Sequence, residues 1–223
     1  SPQKLALSGS IKFDITINND VRKKGKDLKL KLGGDRPVWI AASTHAGEDE
    51  IVLAAHQKVL EVYKDALLIL VPRHPERFTQ VKVLAQKYCT TVARSSNKIL
   101  SDSTQVYLGD TMGDMLEFLE ASDVCFMGGS LLGDKVGGHN LLEPAALSKP
   151  TLIGPSYFNF QDITDSLIAQ GACKIVMNEN ELAKSLLTLF DDHSLREKCG
   201  KKGHAFVKEN TGAVDIIVRH IIH

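Results

Sequence analysis

The sequence predicts an α/β fold, a doubly wound parallel sheet with helices on both faces. First, from Pro37 onward short apolar segments alternate with longer segments of helical character. Second, the short segments are almost entirely apolar, as in parallel strands buried on both faces. Third, 223 residues with 43% hydrophobic content are enough for a substantial core in one large domain or two small ones. Right-handed crossovers between such strands then wind the sheet in both directions.

The first half of the chain is expected to hold four strands, at residues 38–42, 66–71, 90–93 and 105–108. Helices are expected at residues 47–63 and 112–121, and a third over 75–88, where Pro75 suits a first helical turn. Residues 1–34 precede this pattern and are expected to be a lead-in segment. Its basic run at 22–26 (RKKGK) is expected to be an exposed loop whose charges are solvated.

The second half is expected to hold three more strands, at residues 123–127, 150–153 and 173–177. Helices are expected at residues 140–147, 160–169, 179–190 and 195–210. A last helix is expected at 213–222, and its side chains Ile216, Ile217, Val218, Ile221 and Ile222 would leave much apolar surface without a partner. Docking on its own domain is the default expectation for that helix.

Composition excludes several function classes. Lys and Arg together number 27 and so do Asp and Glu, so no bulk charge attracts nucleic acid or an anionic membrane. Four separated cysteines form no C-x-x-C pair, which favours reduced thiols in a cytosolic setting over a disulfide frame or a zinc site. No apolar stretch is long enough to span a bilayer, and no signal peptide is visible. The G-x-G-x-x-G fingerprint is absent, which weakens a nicotinamide-binding interpretation.

The loops that follow the strands are the places to look for a site. In doubly wound sheets, ligands bind outside the carboxyl ends of the strands. This rule selects six loops, at residues 43–48, 72–76, 94–97, 109–114, 128–143 and 154–161.

Residues 123–143 are the most informative segment: a short apolar strand, a glycine-rich turn and the start of a helix. Glycines let backbone amides approach an anion closely, so a run of free amides here is expected to bind phosphate. Glu143 lies one turn into the helix, where its carboxylate suits a ribose diol. Asn140 and Glu143 also fit a capping box. Because Pro144 has no amide proton, an anion at this helix would use the amides of residues 140–143.

Two further loops have both a functional and a structural interpretation. Arg73 directly follows an apolar strand, where its guanidinium suits a phosphate, but an ion pair with Glu76 is equally compatible with the spacing. His74 suits a positioning role better than general-base catalysis. In the loop 109–114, a helix amino terminus offers unpaired amides. The structural alternative is that Asp110 or Thr111 caps this helix and Asp114 favours its first turn.

The loop 43–48 brings Ser, His and acidic residues close together in sequence. It is no hydrolase elbow, because G-x-S-x-G is missing. Capping by Ser43 or Thr44 explains much of the pattern, and the alternative is that His45 and Glu48 line a ligand pocket. No histidine–carboxylate cluster has convincing metal spacing, so no intrinsic metal is expected.

Together these motifs resemble one family, the bacterial 3-deoxy-D-manno-octulosonic acid (Kdo) transferases of lipopolysaccharide synthesis. The resemblance covers nearly the whole chain and concerns the carboxyl-terminal half of such enzymes. It is carried by GSIKFD at 9–14, ASTHAGE at 42–48, PRHPER at 72–77, GDTMGD at 109–114, GGS at 128–130, GGHNLLEP at 137–144, and Gly154-Pro155 with Asn159-Phe160.

The resemblance implies the donor-binding half of a two-domain GT-B glycosyltransferase. Residues 35–210 would be the Rossmann-like donor domain, 1–34 an interdomain lead-in, and 211–223 a helix packing back toward a missing amino-terminal domain. The whole enzyme would move Kdo, with inversion, from CMP-Kdo to a lipid A precursor (lipid IVA) at the cytoplasmic face of the inner membrane. The catalytic base would lie on the missing domain, so no catalytic residue is expected in this chain. Neither a cofactor nor a nucleic-acid partner is implied.

The resemblance also implies a donor site. Contacts to CMP are expected from Pro72 and Arg73. A second wall is expected from Met112, Gly113, Asp114 and Met115. Phosphate and ribose contacts are expected from Asn140, Leu141, Leu142 and Glu143. Further candidates for the donor pocket are His45, Arg94 and His139.

Two rivals remain open. A nucleotide-sugar 2-epimerase with the same half-fold would prefer a uridine nucleotide. A non-catalytic nucleotide-sugar-binding module would bind without a transferase partner domain.

Overall fold

A seven-stranded, wholly parallel sheet organises the computed structural model, which describes residues 11–98 and 100–212. The strand order is β3-β4-β2-β1-β5-β6-β7. The strands are β1 (Val38–Thr44), β2 (Leu67–Pro72), β3 (Thr91–Ala93), β4 (Val106–Leu108), β5 (Val124–Met127), β6 (Thr151–Ile153) and β7 (Cys173–Ile175). All seven predicted strands are therefore present, and the predicted doubly wound α/β fold is confirmed.

Eight α-helices cover the two faces of the sheet in the described residues. They are α1 (Asn19–Lys31), α2 (Asp49–Val62), α3 (Phe78–Tyr88), α4 (Met115–Ala121), α5 (Leu142–Ala146), α6 (Gln161–Ala169), α7 (Glu179–Asp191) and α8 (His193–Asn210). Helices α2, α3 and α7 enclose the core on one face, around the buried Trp39 and Phe126. Helices α1, α4, α5, α6 and α8 enclose the other, around Ile40 and Phe118.

Helix α1 corrects one prediction. Residues 22–26 were expected to form a loop, but they lie inside this helix, which the Asn18 side chain caps by accepting the Val21 N–H at 2.8 Å. Gly25 lets α1 approach α4 closely, since a Cβ there would lie 2.3 Å from the Glu120 Cβ. The lysines at 23, 24 and 26 are exposed, so the expectation of solvated charges is confirmed.

Other boundaries differ locally. The helix predicted from 112 begins at Met115, because Gly113 adopts φ +88°. The helix predicted from Pro75 is a 3₁₀ turn, Pro75–Arg77, followed by α3. The helix predicted at 213–222 and the motif residues 9 and 10 lie outside the described residues. The domain limits at 34 and 210 stay predictions.

The winding of the sheet locates the crevice. The chain runs from β1 to β2 on one side, and later crosses from β4 to β5 on the other side of β1. The winding direction therefore reverses at β1, and the carboxyl ends of β2, β1 and β5 lie side by side. The loops that begin at Arg73, His45 and Gly128 are thereby brought to one place.

Candidate functional site

The glycine-rich loop after β5 passes directly over the end of β1. A Cβ at Gly128 would lie 2.6 Å from the Ser43 carbonyl oxygen, so only glycine allows this approach. Ser43 itself has φ +58°, and the pairing of β1 with β2 shifts register between Ala42 and Thr44. Strained backbone of this kind is held in place by its surroundings and clusters at functional sites.

Glu48 fixes the glycine-rich loop from below. Its carboxylate is fully buried and accepts the N–H groups of Gly129 at 2.7 Å, Ser130 at 3.0 Å and Leu131 at 3.1 Å. It also accepts the N–H of His45 at 3.3 Å. Burial raises the pKa of Glu48, and these four donors act in the opposite direction. Glu48 therefore holds the loops after β1 and β5 together.

This arrangement corrects two expectations. The amides of residues 129–131 were expected to be free for phosphate, but the Glu48 carboxylate occupies them. Glu48 was also considered as a residue lining the ligand pocket, yet its side chain is inaccessible to solvent. The loop is therefore held in place by the protein itself, and an anion would have to bind N–H groups other than those of residues 129–131.

Three histidines meet at the same edge. The Nε2 atoms of His45 and His139 lie 2.8 Å apart, and their rings are stacked with centroids separated by 5.1 Å. His74 packs edge-on against His45, with centroids 5.3 Å apart. Burial, reinforced by neighbouring positive groups, lowers the pKa of His45 and takes that of His139 to about 4. At neutral pH both rings are uncharged, so one Nε2–H donates to the other ring.

Arg73 stands beside this histidine group. It follows β2, and its backbone N–H donates to the Thr44 carbonyl at 3.0 Å, which ties it to the end of β1. The nearby positive charge of Arg73 contributes to lowering the pKa of His45 and of His139. Its side chain is exposed and, within residues 11–98 and 100–212, makes no ion pair; the alternative pairing with Glu76 is not found. Arg77, one turn on, is the residue that pairs, with the buried Asp49.

Glu143 lies in the first turn of α5, on the segment that follows His139. It is half-buried, and burial raises its pKa. In the described part of the chain its carboxylate has no hydrogen bond and no ion pair. The Asn140 Oδ1 accepts the Leu142 N–H at 3.1 Å, not the Glu143 N–H that a capping box requires. Glu143 is therefore available to accept hydrogen bonds from hydroxyl groups.

The other residues of this segment contribute through backbone alone. Leu141 and Leu142 are fully buried in the core. Pro72, at the end of β2, is also buried. A ligand can reach these three positions only at their peptide groups.

The loop after β4 forms a separate wall. Met112 is 68% exposed, Gly113 is open on all sides, and Met115 packs partly into the core. The Thr111 hydroxyl donates to Asp114 Oδ2 at 2.5 Å. Asp114, not Asp110 or Thr111, occupies the cap position of α4, and its side chain makes no capping hydrogen bond.

Arg94, a further candidate for the donor pocket, lies at that wall. Its guanidinium donates to Glu117 at 2.9 Å, lies 3.5 Å from Asp114, and packs over the Phe118 ring at 5.7 Å. Both carboxylates already neutralise its charge. Arg94 therefore supports Asp114 at the second wall.

Two features were missed at the sequence level. Glu48 and the loop it holds are separated by about 80 residues, and no local pattern reveals such a contact. His74 was noted only as a positioning residue; its place in a three-histidine group follows from the adjacency of β1 and β2, which a predicted strand order could have indicated.

No group of histidine, cysteine and acidic side chains suited to hold a metal ion is found among residues 11–98 and 100–212. Within the same residues, no helix combines the length and the apolar character that crossing a membrane requires.

Comparisons with known proteins agree with this architecture. The family profile described as "Glycosyl transferases group 1" matches residues 45–206. The 3-deoxy-D-manno-octulosonic acid transferase of Haemophilus influenzae is 41% identical over 214 residues, which cover 95% of this chain and 50% of that protein. The enzyme of the same name from Bordetella pertussis is 32% identical, over 93% of this chain and 49% of that protein. The chain thus spans about half the length of these curated relatives.

Among solved structures, the crystal structure of the C-terminal CMP-Kdo binding domain of WaaA from Acinetobacter baumannii superposes with a TM-score of 0.79. The two are 36% identical, and the match covers 84% of this chain and 98% of that one. The similarity therefore extends through almost the entire length of that domain.

Proposed function

Because this chain belongs to the group 1 glycosyl transferases and is related along its length to the carboxyl-terminal domain of Kdo transferases, we propose that it is a donor-binding domain for CMP-Kdo. The whole enzyme would transfer Kdo to a lipid A precursor, lipid IVA, at the cytoplasmic face of the inner membrane. The catalytic base would come from a further domain. This chain would bind CMP and would not transfer Kdo by itself.

In the proposed reaction, this donor-binding domain holds the departing cytidine monophosphate. Negative charge grows on the leaving phosphate as the glycosidic bond breaks, and fixed donors stabilise it. Arg73 and the backbone N–H groups of Asn140, Leu141 and Glu143 would supply those donors; the N–H of Leu142 is donated to the Asn140 side chain. Glu143 would accept hydrogen bonds from the ribose hydroxyls, and residues 112–115 would form the wall against the nucleotide.

One observation supports this proposal most. Arg73 and Glu143 follow two strands that flank β1, and neither side chain has a charged partner in the described part of the chain. Each of the neighbouring charges Asp49, Arg77 and Arg94 is paired. Groups left unpaired where a doubly wound sheet binds ligands are suited to a ligand that carries both an anion and hydroxyls.

Isothermal titration with CMP tests the proposal. We expect saturable binding to the isolated chain and weaker binding of UMP. Arg73→Ala and Glu143→Ala should each weaken CMP binding by about 1–3 kcal/mol, as for hydrogen bonds that involve charged groups. Lys64→Ala and Glu61→Ala are matched controls, since both are exposed; Glu61 lies in the last turn of α2 and Lys64 just after it, before β2 begins and at the opposite edge of the sheet.

Three outcomes would count against the proposal. Absence of CMP binding would remove it, and unchanged affinity in both site variants would move the site elsewhere. Preference for UMP over CMP would favour the 2-epimerase rival. A radiolabelled transfer assay completes the test, because robust Kdo transfer by this chain alone would contradict the assignment of the base to another domain.

A further inference from the structure

The contacts proposed above for CMP come from Arg73 and from residues 112–115 and 140–143, so the His45–His139 pair has no role assigned to it there. His45 follows β1, next to β2 and its Arg73, and its ring contacts that of His139, which directly precedes the Asn140–Glu143 segment. We propose that the His45–His139 pair is the subsite for the sugar carboxylate of the donor. This proposal rests on the donor-binding function proposed above and specifies which part of the donor each group recognises.

The first argument is the charge around the pair. Arg73 and His74 lower the pKa of both rings, and Arg77 lowers the pKa of His45, as positive neighbours do. The nearest carboxylates are already used, since Glu48 is enclosed by four amides and Asp49 is paired with Arg77. No acid among the described residues contacts either ring. Several cationic or protonatable groups therefore surround the pair, and such surroundings are suited to an anion.

The second argument is the hydrogen-bonding state of the pair. Two uncharged rings in contact through Nε2 share a single proton, so one Nε2 only accepts. The Nδ1 atoms of both rings have no hydrogen-bond partner within residues 11–98 and 100–212. A carboxylate next to the pair favours its protonation, after which both rings have N–H groups to donate. The pair therefore gains a proton and a hydrogen-bond donor when an anion binds, whereas a fixed cation such as arginine does not change.

The third argument is the chemistry of the donor. In CMP-Kdo the anomeric carbon bears both the phosphate oxygen and a carboxylate. Two negative groups on one carbon need two neighbouring sets of donors. His139 is bonded directly to Asn140, where the amides proposed for phosphate begin, so the pair lies next to the phosphate position.

Glu48 and glycine geometry keep the pair assembled. A Cβ at Gly129 would lie 3.1 Å from the His139 ring, so the loop passes close beneath that ring. The Glu48 carboxylate accepts the backbone N–H groups of both His45 and Gly129. The two rings are thus fixed relative to each other before any ligand binds, which lowers the entropy lost on binding.

The test compares three ligands by titration calorimetry: CMP, a hydrolysis-resistant carbocyclic analogue of CMP-Kdo, and the methyl ester of that analogue. The ester removes the carboxylate charge and leaves the nucleotide unchanged. We expect wild-type protein to bind the acid at least tenfold more tightly than the ester. In His45→Asn/His139→Asn this preference should fall below twofold, while CMP affinity stays within twofold of wild type. His193→Asn, an exposed histidine at the start of α8, is the matched control and should keep the preference.

The outcomes separate this proposal from the proposed function. If wild-type protein binds CMP but does not distinguish acid from ester, the carboxylate subsite is wrong and CMP binding stands. If the double variant loses CMP and acid affinity equally, the pair serves the phosphate, and the assignment is again overturned. If the preference survives in the double variant, other groups recognise the carboxylate. Failure to bind any of the three ligands would overturn the donor-binding function itself.

Discussion

Replacing Glu48 with glutamine should destabilise the protein, although it changes a single oxygen. Both carboxylate oxygens are acceptors, Oε2 for the N–H groups of Gly129 and His45 and Oε1 for those of Ser130 and Leu131. Glutamine offers one oxygen, and its NH₂ group would face two N–H donors. Two buried hydrogen bonds to a charged acceptor are therefore lost, each contributing about 1.5–3 kcal/mol. Glutamine is uncharged, so the free-energy cost of burying a charge is removed, and this offsets part of the loss.

The net expectation is a decrease of about 2–4 kcal/mol in the free energy of unfolding, once that offset is included. For a domain of this size, 1 kcal/mol corresponds to about 2–4 °C in melting temperature, so Tm should fall by roughly 5–15 °C. Urea denaturation and thermal melts followed by circular dichroism would measure both quantities.

Glu50→Gln provides the matched control, because Glu50 is exposed on the same helix two residues away. It should change stability by no more than about 0.5 kcal/mol. A Glu48→Gln protein as stable as wild type would refute the reasoning, since the loop would then be held by something other than these four hydrogen bonds. Glu48→Asp keeps the charge but shortens the reach, and it should fall between wild type and glutamine.

Two further predictions concern stability. Gly25→Ala should lower the free energy of unfolding by about 1–3 kcal/mol, measured in urea, because the added methyl would lie 2.3 Å from the Glu120 Cβ. Gly203→Ala, in α8, should instead raise it by up to about 1 kcal/mol, because its methyl would make ordinary contacts with Ala145 at 3.4 Å. Burial lowers the pKa of His56 to about 4, so the unfolded chain binds its proton first and stability falls as pH drops from 6.5 toward 4. Between pH 7 and 5 this residue should account for about 2 kcal/mol of lost stability, a loss that His56→Asn should reduce.

The strands could be predicted from sequence because their signal is local. Each strand of the sheet centre is a run of consecutive apolar residues, and all six residues of β2 are buried. Helix α1 lacks such a signal, since only Gly25 and Leu28 within it are buried. Its stability comes from contact with α4, nearly 100 residues away in sequence. Packing of this kind cannot be read from a short window.

The candidate site was predictable to the level of loops. The rule that ligands meet the carboxyl ends of strands selected the segments that hold Arg73, His45 and Glu143 before their neighbours were known. The rule could not distinguish backbone amides and charged side chains that are free from those already hydrogen-bonded or ion-paired within the protein. The glycine-rich amides were expected to be free and are bound by Glu48. Arg94 was a candidate for the donor pocket, and its charge is already paired with Asp114 and Glu117. Such distinctions depend on contacts between residues that are far apart in the chain.

The structure separates groups that build the site from groups left for a ligand. Glu48, Asp49 and Arg77 are buried or largely buried. Asp49 pairs with Arg77, and the Glu48 carboxylate accepts four backbone N–H groups, so these residues fix the end of β1 and the loop after β5. Arg73, Glu143 and the histidine pair lie on the same edge with unused hydrogen-bonding capacity. Variants of the first set should therefore lower the free energy of unfolding, whereas variants of the second should change ligand affinity at nearly constant stability. The proposed site combines cationic and acidic unpaired groups, which suits a ligand with an anion and hydroxyls together, as a nucleotide linked to an acidic sugar has and a simple phosphate has not.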